Sequence, residues 1–274
     1  MTCFLIYNEG MSKWSVKRKR RILIIGGILV LILLALIFMR VENNKQPTCF
    51  DGILNGQETG VDCGGVCSKV CLDEINNLVV WWERPFKVAN GVYNTVAYVE
   101  NQNLYSGIQK LNYEFRLYDK DNILVSQPVK GSTFIEANKR SAIFESGITT
   151  GDNEAYTVFF HINSVQNWDR VPQEYSYNLF TISEPVLINQ DTAPKLSANV
   201  RNESFINFED VPVVTILYNQ EDNAIASSRT FIDILGQGTE QQVFYSWPEP
   251  FGDVVSRIEI IPRIEPFTKR AIQG

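Results

Sequence analysis

Eighteen consecutive uncharged residues, Ile22 to Met39 (ILIIGGILVLILLALIFM), constrain this chain more than anything else in its 274 residues. Fourteen of the eighteen are Ile, Leu, Val or Phe. As a helix rising ~1.5 Å per residue the run is about 27 Å long, close to the ~30 Å of a bilayer's hydrocarbon core. At about 0.3–0.6 kcal/mol each, those side chains favour insertion by roughly 4–8 kcal/mol. The run is apolar all round, whereas the core helix of a soluble protein is striped on one face. A cleaved signal peptide has a shorter apolar region, about 7–15 residues, and ends in small residues. Here the sequence continues ALIFMRVENN, with no such site. Six basic residues (Lys13 and Lys17 to Arg21) precede the run, and only Arg40 and Lys45 closely follow it. The positive-inside rule therefore predicts a signal anchor with a cytoplasmic N-terminus and everything after Arg40 outside the cytoplasm.

Charge divides across this anchor. Residues 1–40 hold seven basic side chains and one acid, Glu9, which leaves 18 basic and 30 acidic residues in 41–274, a net of −12. An ectodomain of that sign is not a nonspecific ligand for nucleic acid, so no nucleic-acid partner is expected. The basic run is read as orientation and headgroup contact.

Four of the five cysteines, Cys49, Cys63, Cys67 and Cys71, fall within 23 residues beyond the anchor, while Cys3 lies in the cytosolic tail. Outside the cytoplasm such a cluster reads as two disulfides, with three connectivities open. The segment CFDGILNGQETGVDCGGVCSKVC is too poor in apolar residues to fold on a core, so it needs staples. Asp51, Asn55, Glu58 and Asp62 put oxygen donors on its Gly-rich backbone, the side-chain chemistry Ca²⁺ prefers. Their spacing is not that of an EF-hand, and Asx residues beside Gly are also ordinary turn formers. Disulfide-stapled turns without a metal or other cofactor are the expectation, with Ca²⁺ and a thiolate zinc site as alternatives. The string resembles a short module of secreted and surface proteins with a pattern close to C-x-D-G-x-x-N-G-x-E-T-G-V-D-C-G-G-x-C-x-x-C. It departs only in having three residues between the last two cysteines. The resemblance implies a surface location and no particular ligand.

Beyond Cys71 short alternating runs are separated by Gly, Pro, Asn and Asp. The chain repeats itself at an offset of about 100. Leu111, Tyr113, Phe115 and Leu117 keep phase with Val211, Val213, Thr215 and Leu217. Asp121-Asn122 recurs as Asp222-Asn223, Val99-Glu100-Asn101 as Val200-Arg201-Asn202, Pro85 as Pro185 and Phe144 as Phe244. Each copy has about seven period-2 segments, which predicts two tandem immunoglobulin- or fibronectin-like antiparallel β-sandwiches, so that the fold class is mainly β. In the first copy the strands are placed near 78–89, 93–102, 109–119, 122–130, 132–136, 139–147 and 154–164. In the second they are placed near 177–189, 195–203, 209–219, 224–229, 230–235, 239–247 and 254–264. The resulting order is a basic tail (1–21), anchor (22–39), Cys-rich neck (40–76), first sandwich (77–168), second sandwich (169–265) and C-terminal tail (266–274). The join VQNWDRVPQEYSYN has no Gly/Ser run, which points to a semi-rigid rod.

Phe115-Arg116-Leu117-Tyr118-Asp119 fits F-x-L-Y-D, and this part of the chain resembles the small extracytoplasmic β-sandwich domains named for that motif. In the second copy the motif has drifted to Thr215-Ile216-Leu217-Tyr218-Asn219. The resemblance implies fold and compartment, with Phe115 and Leu117 in the core and Asp119 capping a turn.

Chemistry is sparse. The one histidine, His161, lies in the alternating run VFFHINS, and no nucleophile elbow, zincin motif, P-loop or dinucleotide fingerprint occurs. An enzyme is not expected, and an extracytoplasmic hydrolase is the weakest reading. Trp82 and Trp247 are the candidate binding residues, since exposed aromatics stack on sugars or anchor proteins; packing is the competing role. The sequon Asn202-Glu203-Ser204 is a bare three-residue match. The expected protein is a single-pass, membrane-anchored extracytoplasmic spacer or binding module, held by the helix 22–39, with a protein or envelope-glycan partner. The alternative is a subunit of an envelope, secretion or pilus-like assembly that works through its helix and tail.

Overall fold

The computed structural model describes residues 13–43, 49–172, 175, 178–183 and 185–267, with side chains of the N-terminal helix described over 18–38. Expectations for the first twelve residues, for 44–48 and for most of the C-terminal tail fall outside these. The chain divides into two compact units, Met1–Asp51 and Gly52–Gly274.

Among the described residues the first unit carries one helix, α1 (Lys13–Asn43), which starts well before the apolar run and continues past it. Its stretch Arg18–Phe38 has a mean hydropathy of 3.0, long and apolar enough to cross a membrane. Ile22 to Phe38 expose 51–75 % of each large apolar side chain, a surface that water does not favour but lipid does.

Among the described residues the second unit contains fourteen strands. The first copy contains β1 (Val79–Ala89), β2 (Val92–Asn101), β3 (Ser106–Tyr118), β4 (Val129–Ile135), β5 (Lys139–Thr149), β6 (Thr157–Val165) and β7 (Trp168–Arg170). They form two antiparallel sheets, β1-β2-β5 and β4-β3-β6, with β7 also on β3. The second copy contains β8 (Phe180–Ile182), β9 (Val186–Ile188), β10 (Lys195–Asn202), β11 (Phe208–Tyr218), β12 (Ala224–Leu235), β13 (Glu240–Ser246) and β14 (Arg257–Pro262). Here β13-β10-β8, with β9 on β10, faces β12-β11-β14. The sheets match copy for copy: β10 takes the place of β2 and β11 that of β3.

Three strand expectations change. Residues 122–128 form no strand beyond an isolated bridge at Leu124, because the chain turns there and reaches Pro128, so β4 starts only at Val129. The matching stretch of the second copy lacks a proline and runs unbroken as the twelve-residue β12, where two strands were expected. Near 177–189 one strand becomes β8 and β9, with Pro185 just before β9, whereas Pro85 is accommodated within the edge strand β1.

Each sandwich has its own core. In the first, Leu111, Tyr113, Phe115 and Leu117 of β3 meet Ala97 and Val99 of β2 and Ile143 of β5. In the second, Val211, Val213 and Leu217 of β11 meet Leu196, Ala198 and Val200 of β10. The repeat also reproduces its fastenings. Asp119 Oδ1 accepts from the N–H groups of Asp121 and Ile123, both at 2.9 Å. Asn219 Oδ1 accepts equivalently from Glu221 at 3.1 Å and Asn223 at 2.9 Å. Asn101 and Asn202 are both buried, and their amides tie the strand-linking loop to the end of β4 and β12 respectively, through Ser106 O and Glu136 O, and through Ile206 O and Leu235 O.

The rod expected from the stiff join is not what forms. The other face of β1-β2-β5 packs on the other face of β12-β11-β14, creating a third core from Phe86, Val96, Tyr98, Phe144, Val214 and Ile216. The cause lies in β2 and β11, which are apolar at successive positions and so have two faces to bury, whereas β3 alternates. Polar contacts close the seam. Tyr98 Oη and Tyr218 Oη donate to the two oxygens of Glu259 at 2.6 and 2.8 Å. Arg263, 5 % exposed, lies 3.7 Å from the buried Glu136 carboxylate and donates to Thr133 Oγ1 at 3.2 Å.

The neck is stapled as expected. Cys63 is bonded to Cys71, and Cys49 and Cys67 are also disulfide-bonded. It also docks: Val70 enters the first core, its N–H donates to Trp168 O at 2.8 Å, and Arg170 N–H donates to Ser68 O at 2.6 Å. The Gly64-Gly65 pair is required sterically. Both have positive φ, and a Cβ on Gly65 would lie 1.6 Å from Gln57 O.

Candidate functional site

Along one side of the seam the two copies are held apart by side chains rather than packed flush. Arg84 of β1 donates across it to Ala224 O and Asn223 Oδ1, both at 3.1 Å, and Asn94 Nδ2 donates to Ser227 O at 3.3 Å. Glu83 reaches the neighbouring sheet edge and accepts from the Phe160 N–H; burial raises its carboxyl above the usual range, and that hydrogen bond partly offsets the rise. Lys87 pairs with Glu154 at 3.2 Å. What remains is a cavity of about 700 Å³ between β1, the start of β6 and the start of β12. Trp82, Phe86, Tyr156 and Phe159 supply its aromatic lining. Tyr156 is 73 % and Phe159 56 % exposed, so both rings are presented to solvent.

Around the Lys87 end of β1 the groove branches into two further recesses. Through Phe86, Lys87 and Ile225 it shares walls with a recess of about 250 Å³ beside Trp247, Glu249 and Phe251. Through Pro85, Lys87 and Tyr156 it shares walls with a recess of about 510 Å³ lined by Asp119, Asp121, Asp152 and Glu154.

Both candidate tryptophans border this groove, and both are committed to packing. Trp82 is half-buried and stacks on Tyr98 with ring centroids 5.2 Å apart. Trp247 is 6 % exposed in the second core, edge-on to Phe251, with its indole N–H lacking an acceptor among the described residues. The exposed rings are others, Tyr156 and Phe159. The sequence held a signal for the second: in Phe159-Phe160 only one ring of an alternating strand can face inward, and Phe160 packs on Phe115. Trp81 is exposed outside the groove, donating to Glu100 at 3.0 Å under the Arg140 guanidinium. His161 is exposed on β6, paired across the sheet with Glu114.

In the neck the oxygen donors serve the turns. Asp62 accepts from the Gly52 N–H at 2.9 and 3.1 Å, and Glu58 accepts from the Asn55 N–H at 3.3 Å. Asp51 is exposed. Cys67 Sγ lies 3.4 Å from Glu58 but belongs to a disulfide, and a disulfide sulfur is not the thiolate that zinc requires.

No protein-family model matches the chain, and no curated protein matches it. Among solved structures, a red sea bream transglutaminase aligns at 8% identity and a TM-score of 0.25, over 69% of this chain and 29% of its own. The C-terminal globular domain of an oligosaccharyltransferase from Pyrococcus abyssi aligns at 12% identity and a TM-score of 0.17, over 68% and 46%. The chain thus spans less than half the length of either, and likenesses this faint carry no argument.

Proposed function

We propose that this is a single-pass, noncatalytic binding module. The helix holds it in a membrane with the N-terminus in the cytoplasm, and the paired sandwiches engage a partner outside through the groove along β1. The observation that carries the reading is the pair of exposed rings, Tyr156 and Phe159, over a cavity of about 700 Å³ at the join of two rigid sandwiches. Ligand sites favour such joins, and aromatic rings dominate contact energies at interfaces. The neck's disulfides belong to an oxidising compartment, as this topology requires. Placing a benzophenone side chain at Tyr156 in intact cells tests it, with the exposed Gln242 of β13, on the outer sheet of the second copy, as control. Light-dependent adducts from position 156 that vanish with Phe159→Ala support the reading. Equal adducts from both positions, or none from 156, leave a spacer. Exchanging residues 1–40 for an unrelated anchor separates this reading from an assembly subunit, because a binding module keeps its function.

A further inference from the structure

Taking the groove as the binding site, we infer that its ligand is an extended, basic polypeptide segment that carries apolar side chains. Length comes first. Residues Trp82 to Lys87 of β1 floor the groove, which at ~3.3 Å per residue matches an extended guest of about six residues. Around Lys87 the groove runs on into two further recesses, so a linear guest has room to extend past the aromatic rings. Backbone pairing with β1 is a poor route, because Pro85 interrupts its row of donors. Recognition therefore falls to side chains.

Their chemistry is graded along the groove. The middle is aromatic, with Tyr156 and Phe159 exposed and Phe86 beneath, which suits an apolar side chain or a cation over a ring face. One recess is acidic: it is lined by Asp119, Asp121, Asp152 and Glu154 against Lys87 and Lys120, and Lys87 is already paired with Glu154. The second recess adds Glu249. With a net charge of −12 on residues 41–274, the surrounding field repels anionic guests and steers cationic ones.

The test uses the full chain in nanodiscs of zwitterionic lipid and, as probe, a fluorescent octapeptide alternating lysine and phenylalanine. Octapeptides alternating lysine with serine, and glutamate with phenylalanine, serve as controls. The expected result is saturable binding of the first peptide alone. Tyr156→Ser/Phe159→Ser and Asp152→Asn/Glu154→Gln, all at exposed positions, each weaken it about tenfold or more. Equal binding of either control, no binding, or indifference to both double variants overturns the inference. A neutral oligosaccharide whose binding is lost in Tyr156→Ser/Phe159→Ser also overturns it while leaving the groove reading intact. Absence of the position-156 adducts in cells would instead remove the groove itself.

Discussion

Tyr98 donates its hydroxyl hydrogen to Glu259 Oε1 at 2.6 Å, a bond that joins residues 161 apart in sequence and crosses from the first sandwich to the second. Burial and the Glu259 carboxylate together push the Tyr98 hydroxyl far above its ordinary pKa, so it remains a donor across the physiological range. Hydrogen bonds to charged groups contribute about 1.5–3 kcal/mol. Tyr98→Phe is therefore expected to lower unfolding stability by about 2 kcal/mol in urea titrations, leaving Tyr218 still bonded to Glu259.

The third core makes the two sandwiches one cooperative body. Ile216 is fully buried there and belongs to neither sandwich's own core. Ile216→Asp is expected to convert a single calorimetric transition into two, because each sandwich keeps a complete core of its own. A single transition merely shifted downward would show that one sandwich depends on the other.

Acid should loosen the outer face of the first sandwich. The Arg116 guanidinium, with Lys130 nearby, holds the Glu114 carboxyl below the usual carboxylate range. A lowered folded pKa gives stability that is complete above the unfolded value of about 4.3 and is lost as pH falls through the folded one. Glu114→Gln should flatten that acid limb of a stability-against-pH curve. Glu83 acts in the opposite sense, since its raised carboxyl costs stability at neutral pH and Glu83→Gln recovers part of it.

The sequon at Asn202 should stay unmodified in the folded protein. Asn202 is completely buried, and its amide nitrogen donates to Ile206 O, Leu235 O and Gly236 O at 2.7–3.2 Å. Expression in a glycosylating host should give no added mass on the tryptic peptide containing Asn202. Asn202→Ala should cost about 2–3 kcal/mol, since it orphans buried carbonyls.

Trp247 offers a sharper contrast. Its ring packs in the second core, yet its indole N–H has no acceptor among the described residues. Trp247→Phe, which removes that donor and keeps an aromatic body, should cost much less than Trp247→Ala, expected at about 3–5 kcal/mol. Paired thermal melts check this.

Legibility in the sequence followed the range of the interaction. Alternation within β3 showed its inward face, and the offset of about 100 paired Asn101 with Asn202 and Phe144 with Phe244, because both signals are periodic. The seam was written just as plainly, in the unbroken apolar runs of Val96 to Val99 and Val213 to Ile216, whose one polar side chain, Thr215, is itself buried; runs of this kind mark strands covered on both sides. What no local pattern could give was the partner of each face. Glu259 lies in an alternating edge strand and Arg263 just after it; in sequence both look like solvent-facing charges. Only the sheet-on-sheet arrangement brings them to Tyr98 and Glu136. For the same reason the groove was invisible, since its rings come from β1 and β6 and its far wall from the other copy.

The seam joins unlike faces. The sheet that the first copy contributes corresponds, in the second copy, to β13-β10-β8, and the sheet that the second copy contributes corresponds to β4-β3-β6. Laid this way, identical bricks could be added without end. The outward faces of these two are recoloured: Glu114 and Arg116 stand where the seam has Val214 and Ile216, and Ser197 and Asn199 where it has Val96 and Tyr98. Four side chains thus keep either outer face from repeating the apolar surface of the seam.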